Sequence, residues 1–136
     1  MDRSPALLLL LALGLCCPGI HGQMFEVKVR FRDTITQLQL GQRLELECWT
    51  DRDSGAFWVR QDKSGTLHVI VFISSLSRVT FKGNQRTSTR FEASKDNRFY
   101  RLVVKSFTQQ DEGNYFCLMN INQMLYLSHG LPAFLP

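Results

Sequence analysis

The chain is poor in the side chains that most enzymes use. It has three histidines and four cysteines in 136 residues. Only His68 and His129 lie beyond the first 22 residues. One sits in an apolar run and the other near the C-terminal end, and neither keeps His/Cys/Asp company at a metal-binding spacing. No glycine-rich phosphate loop appears. Catalysis, a metal, a cofactor and a small-molecule substrate are therefore not expected. There is no Asn-x-Ser/Thr sequon, so N-glycosylation is not expected either. The net charge is +4, but the basic residues (Lys28, Arg30, Arg32, Arg43, Arg60, Arg86, Arg101) are scattered. Without a cluster interleaved with exposed aromatics, nucleic acid is a poor partner. Mild attraction to an acidic protein surface is the remaining inference. Helical periodicity, internal repeats and low-complexity tracts are absent as well.

Long apolar runs are also scarce. One runs from Ala6 through Leu15 and is broken by Pro18 and Gly19. It is too short to span a bilayer and has the length of a secretory h-region. A cut after Gly22 divides the chain into a signal peptide at 1–22, a domain at 23–130 and the start of a stalk at 131–136. Cys16 and Cys17 leave with the signal, so Cys48 and Cys117 have only each other. Export lets that bond form and persist. Closing so long a loop stabilises the fold by about 4 kcal/mol in the chain-entropy model. With no second long apolar run, the chain reads as secreted or as the outer part of a longer receptor, on the extracellular side of the plasma membrane.

What the sequence does have is Asp111-Glu112-Gly113-Asn114-Tyr115-Phe116-Cys117, together with Cys48 and Trp58 upstream. A Cys, a Trp about ten residues on, and a Tyr two before a second Cys are the residue set of an immunoglobulin-type sandwich. The cysteines bridge the two sheets, Trp58 packs on the bridge, and the Tyr115 hydroxyl turns back onto backbone. The expected fold is all-β: a V-type immunoglobulin β-sandwich with one inter-sheet disulfide. Period-two alternation marks the strands. Phe25, Val27, Val29 and Phe31 form the first, and Leu44, Leu46 and Cys48 share the inner face of strand B. Strand C holds Phe57 to Gln61. The nearly unbroken run from His68 to Ile73 predicts a strand covered on both faces. Arg90 to Ala93 read as strand D, and Tyr100, Leu102 and Val104 as the inner face of strand E. Strand F runs from Asn114 to Met119, strand G from Met124 to Ser128, and the last six residues leave as an extended segment. Arg90 and Asp111 are placed to form an ion pair across the base.

Parity puts Phe57, Val59, Gln61, Phe116 and Leu118 on the outer face of the sheet formed by strands G, F, C and C′. A monomer seldom leaves such a patch bare, so this face is expected to pair two copies. The Gln61 amide can meet its own copy across a two-fold axis. Three connections gather at one end of such a sandwich: residues 51–55, 74–78 and 120–123. They offer small polar groups with Arg52, Arg78, Asn120 and Asn122.

The C-terminal third, Tyr115-Phe116-Cys117, Met124 to His129 and Leu131-Pro132-Ala133-Phe134-Leu135-Pro136, closely resembles the alpha chains of the CD-eight T-cell coreceptor. Leu127-Ser128-His129-Gly130 stands where most variable domains carry Phe-Gly-x-Gly. The resemblance implies a homodimer, or a heterodimer with a coreceptor beta chain. It also implies loop ends that clamp the α3-domain loop of the class I MHC heavy chain, with β2-microglobulin nearby. By position the resemblance implies Phe72, Ser74, Ser75, Asn122 and Gln123 at that contact; Arg52, Asp53, Ser54, Leu76, Arg78 and Asn120 are expected there as members of the same three loops. A different V-set adhesion or inhibitory receptor, whose outer sheet face takes a protein ligand, is the other reading.

Overall fold

Alternating apolar and polar residues resolve into ten antiparallel strands in the computed structural model, which describes residues 26–136. The expected signal peptide and Phe25 of the first strand lie outside the described residues. The strands are β1 (Val27–Phe31), β2 (Leu44–Thr50), β3 (Ala56–Gln61), β4 (Leu67–Ile73), β5 (Val79–Phe81), β6 (Phe91–Asp96), β7 (Phe99–Val104), β8 (Gly113–Ile121), β9 (Met124–Leu127) and β10 (Leu131–Ala133). One sheet has the order β1-β2-β7-β6, here called the back sheet. The other, the front sheet, has the order β10-β8-β3-β4-β5, with β9 also paired to β8.

The core lies between the sheets and follows the alternation. Leu44, Leu46 and Cys48 of β2 are fully buried and stand opposite Val104, Leu102 and Tyr100 of β7. From the front sheet come Trp58, Val71, Ile73, Tyr115, Cys117 and Met119, all fully buried. Cys48 and Cys117 are bonded, with their Cα atoms 6.2 Å apart. This is the expected sandwich with its single inter-sheet disulfide. Each large side chain buried in this way stabilises the fold by about 1.5–3 kcal/mol relative to exposure.

The entry to β8 is built from short-range chemistry. A 3-10 turn at Gln109–Asp111 presents the Asp111 carbonyl, which accepts the Tyr115 hydroxyl at 2.5 Å. Burial, with the nearby Asp111 charge, pushes the Tyr115 hydroxyl well above the ordinary tyrosine range. The buried Asp111 carboxylate accepts from the Thr108 amide at 2.9 Å and pairs with Arg90. Gly113 follows at φ 151°. A Cβ there would lie 2.3 Å from the Gln61 carbonyl oxygen, so only glycine lets β8 come so close to β3.

Three expectations are corrected. Residues 131–136 do not simply leave the fold. Leu131–Ala133 forms β10 against Gly113–Tyr115 of β8, and Leu131 and Ala133 are buried in the core. The chain breaks its ladder between β9 and β10 because Ser128 turns inward. Its Oγ accepts from the Cys117 amide at 2.9 Å and donates to the His129 carbonyl at 2.8 Å. Strand D starts at Phe91 and extends to Asp96, because the β6–β7 hairpin closes at Asn97, with φ 55°. Strand β4 is not covered on both faces, since Leu67 and Val69 are 59% and 47% exposed. A register shift opposite Trp58 and Val59 lets Ile70 and Val71 both reach the core, which explains the unbroken apolar run without a second cover.

Candidate functional site

Two surfaces gather the residues singled out in the sequence. The first is the outer face of the front sheet. Cross-strand register sets its rows, because directly opposed residues point the same way. Leu127, Leu118, Phe57 and Phe72 form one row across β9, β8, β3 and β4. Phe116, Val59 and Val69 form the next. Asn114, Gln61 and Leu67 form a third, more polar at its centre.

The rings of Phe57 and Phe72 lie with centroids 4.6 Å apart. Gly130 lies under the Phe116 ring, where a Cβ would meet it at 2.9 Å. Leu127 is 56% exposed, while Phe57, Phe116 and Leu118 are half-buried. Val59 corrects the expectation of an exposed position. It is only 3% exposed and lies outside the core cluster, since its row neighbours Phe116 and Val69 close over it. The Gln61 amide nitrogen donates to Gly65 within its own hairpin at 3.4 Å. The same hairpin carries His68, whose Nε2 is 2.7 Å from Asp62 Oδ2. That bond, followed by the Ser64 hydroxyl, holds the Asp62 carboxyl well below the ordinary range.

The second surface is the loop end. The B–C connection joins β2 to β3, with Arg52, Asp53 and Ser54 between Thr50 and Ala56. The C′–C″ connection is a closed turn. The Ser74 amide donates to the Arg78 carbonyl at 2.8 Å and the Ser77 amide to the Ser74 carbonyl at 3.0 Å. Ser77 takes φ 68°, and Leu76 at the tip is 89% exposed. Phe72, which the resemblance placed at the contact, lies in β4 as the apolar run predicts and turns its ring onto Phe57. Asn120, expected in a loop, belongs to β8 and pairs with Leu125. Strand β8 runs that far because its hairpin needs only Asn122 and Gln123, both left-handed at φ 52° and 66°, the form that matches strand twist.

One member of this end was missed in the sequence. The Lys95 Nζ, on β6, donates to Asp53 Oδ1 at 2.6 Å and to the Ser75 carbonyl at 2.7 Å. Its side chain is 11% exposed and lies 5.7 Å from the Tyr100 ring centre. The Tyr100 hydroxyl accepts from the Gly55 amide at 3.0 Å and donates to Asp53 at 3.4 Å. The Lys95 bond is the chief cause of an Asp53 carboxyl held below the ordinary range. Lys95 shares the inward parity of Phe91 and Ala93, but strand D was read as ending at Ala93, so that parity was not extended to it. Among the described residues, no three His, Cys, Asp or Glu side chains are grouped to hold a metal. No described helix is long and apolar enough to cross a membrane.

The immunoglobulin V-set domain model matches residues 32–133. The chain belongs to the immunoglobulin V-set family. Among V-set proteins it is similar to the T-cell surface glycoprotein CD8 alpha chain of Mus musculus, at 31% identity over 102 residues, covering 70% of this chain and 41% of the relative. The Rattus norvegicus CD8 alpha chain is 31% identical over 99 residues, covering 71% and 42%. The chain therefore spans about two fifths of the length of these curated relatives. Its fold matches the crystal structure of a swine CD8αα homodimer with a TM-score of 0.66. That match has 22% identity and covers 79% of this chain and 97% of the other. These likenesses agree with the family resemblance drawn from the C-terminal third.

Proposed function

We propose that this V-set domain is the ectodomain of a T-cell coreceptor alpha chain. It dimerises through the outer face of the front sheet and binds class I MHC, at the α3-domain loop, with its loop end. The supporting observation is the pair of apolar rows, Leu127-Leu118-Phe57-Phe72 and Phe116-Val59-Val69, in which Leu127 and Val69 are 56% and 47% exposed and Phe57, Phe116 and Leu118 are half-buried. Fully desolvating such rows is worth roughly 25 cal/mol per Å² of apolar area, and a second copy offers the same rows in return, as a two-fold interface requires. The likeness to CD8 alpha chains supports the same reading, with the cell surface as location and a coreceptor beta chain as alternative partner. The loop end is small and polar apart from Leu76, so binding to class I MHC is weak.

Surface plasmon resonance against a class I MHC heavy chain with β2-microglobulin tests the partner. Absence of binding by a folded dimer at any attainable concentration rejects it. The same exposed face suits a second reading, a V-set adhesion or inhibitory receptor that docks another protein there. Sedimentation separates the two: a dimer favours the coreceptor, and a monomer at high concentration favours the alternative.

A further inference from the structure

The loop end has a feature that the coreceptor reading does not require. Its most exposed large apolar side chain, Leu76, sits on a turn tied to the neighbouring loop by a nearly buried lysine. Unsupported tips of this kind fray, and an exposed leucine on a mobile tip gives little binding energy because ordering it on contact costs about as much as it returns. Here the tip is held at both ends. Backbone bonds between Ser74 and Arg78 close it from within. From behind, the Lys95 ammonium takes the Ser75 carbonyl and the Asp53 carboxylate together. Asp53 is itself held by the Tyr100 hydroxyl, on a side chain fully buried in the core. The brace therefore runs from the buried Tyr100 through Asp53 and Lys95 to the loop tip.

We propose that Lys95 is a positioning residue that joins the B–C and C′–C″ loops into one rigid binding surface, with Leu76 as its apolar anchor and Arg78 beside it as a cation. The partner surface it fits is a protein with a shallow apolar pocket edged by carboxylates. Placing this partner on class I MHC rests on the reading above; the brace does not.

The test uses the whole chain and its K95M and L76S variants. Hydrogen exchange, with no partner present, reads the brace directly. K95M keeps the length and apolar stem of the side chain but loses the ammonium, and is expected to speed exchange at the Ser77 and Arg78 amides about tenfold. L76S leaves those amides unchanged. Exchange in K95M at the wild-type rate overturns the brace. In binding to class I MHC with β2-microglobulin, L76S is expected to lose at least tenfold in affinity, the mark of a central anchor, and K95M to lose several-fold. Unchanged affinity in L76S overturns the anchor. If the wild-type chain fails to bind class I MHC, the coreceptor reading falls, while the exchange result still decides the brace.

Discussion

The two outer faces of the sandwich cover the same core and are finished differently. On the back sheet, Glu47 sits between Arg30 and Arg101, with ion pairs of 3.0 and 2.8 Å. Around it, Arg32 pairs with Glu45 at 3.3 Å, and Arg43 bridges Glu45 and Glu92 at 3.6 and 3.4 Å. Burial pushes the Glu47 carboxyl up, but the bonds from Arg101 and Arg30 outweigh it and hold it below the ordinary carboxylate range. On the front sheet, the equivalent positions are leucine, phenylalanine and valine. One face carries charges paired with one another across neighbouring strands, a surface made for water. The other carries apolar rows in which Leu127 and Val69 stay about half exposed. A strand's burial pattern alone cannot reveal this, because either face serves the core equally well.

Four experiments break or sharpen the contrast. Replacing Cys48 and Cys117 together by alanine removes what the faces share. Stability is expected to fall by about 2–5 kcal/mol in denaturant titration, with any association lost alongside. Leu118→Asp in the front-sheet row separates the faces. Self-association measured by sedimentation is expected to weaken by about 2 kcal/mol or more, with thermal stability nearly kept. Acidification acts on the back sheet instead. The folded Glu47 ionises below the unfolded value, so its contribution is complete at neutral pH and is lost as pH falls through the folded value. Glu47→Gln is therefore expected to flatten the acid side of the stability profile, by about 1 kcal/mol, without changing dimerisation. Smallest of all, Glu92→Gln breaks one half-exposed pair with Arg43 and is expected to leave the denaturation midpoint nearly unchanged. A loss of dimerisation in either back-sheet variant would show that the two faces had been assigned the wrong way round.

The sandwich was legible because its signals are covalent or periodic. Cys48, Trp58, Tyr115 and Cys117 are tied by spacing, and Leu44, Leu46 and Cys48 by alternation. The outer-face row was legible where strands pair in simple register, as with Phe57 and Leu118. It failed at Val59 because burial there comes from cross-strand neighbours, which no single strand displays. Leu127 completes the row only once β9 is registered against β8. The loop end was read from turn residues, which misplaced Asn120 because a two-residue turn leaves less loop than composition suggests. Lys95 stayed hidden because its partners lie 42 and 20 residues away in sequence.

The short β10 strand has a mechanical consequence. Tension applied beyond Ala133 meets first the Leu135 amide, bonded to the Glu112 carboxylate at 2.7 Å, and then the three-residue ladder on β8. When that ladder strips, the load passes to Ser128 and the β9–β8 ladder, and only beyond these to Cys117 and through it the opposite layer. The domain thus carries a sacrificial latch at its tail, able to yield under a pull while the clasped sheets stay shut.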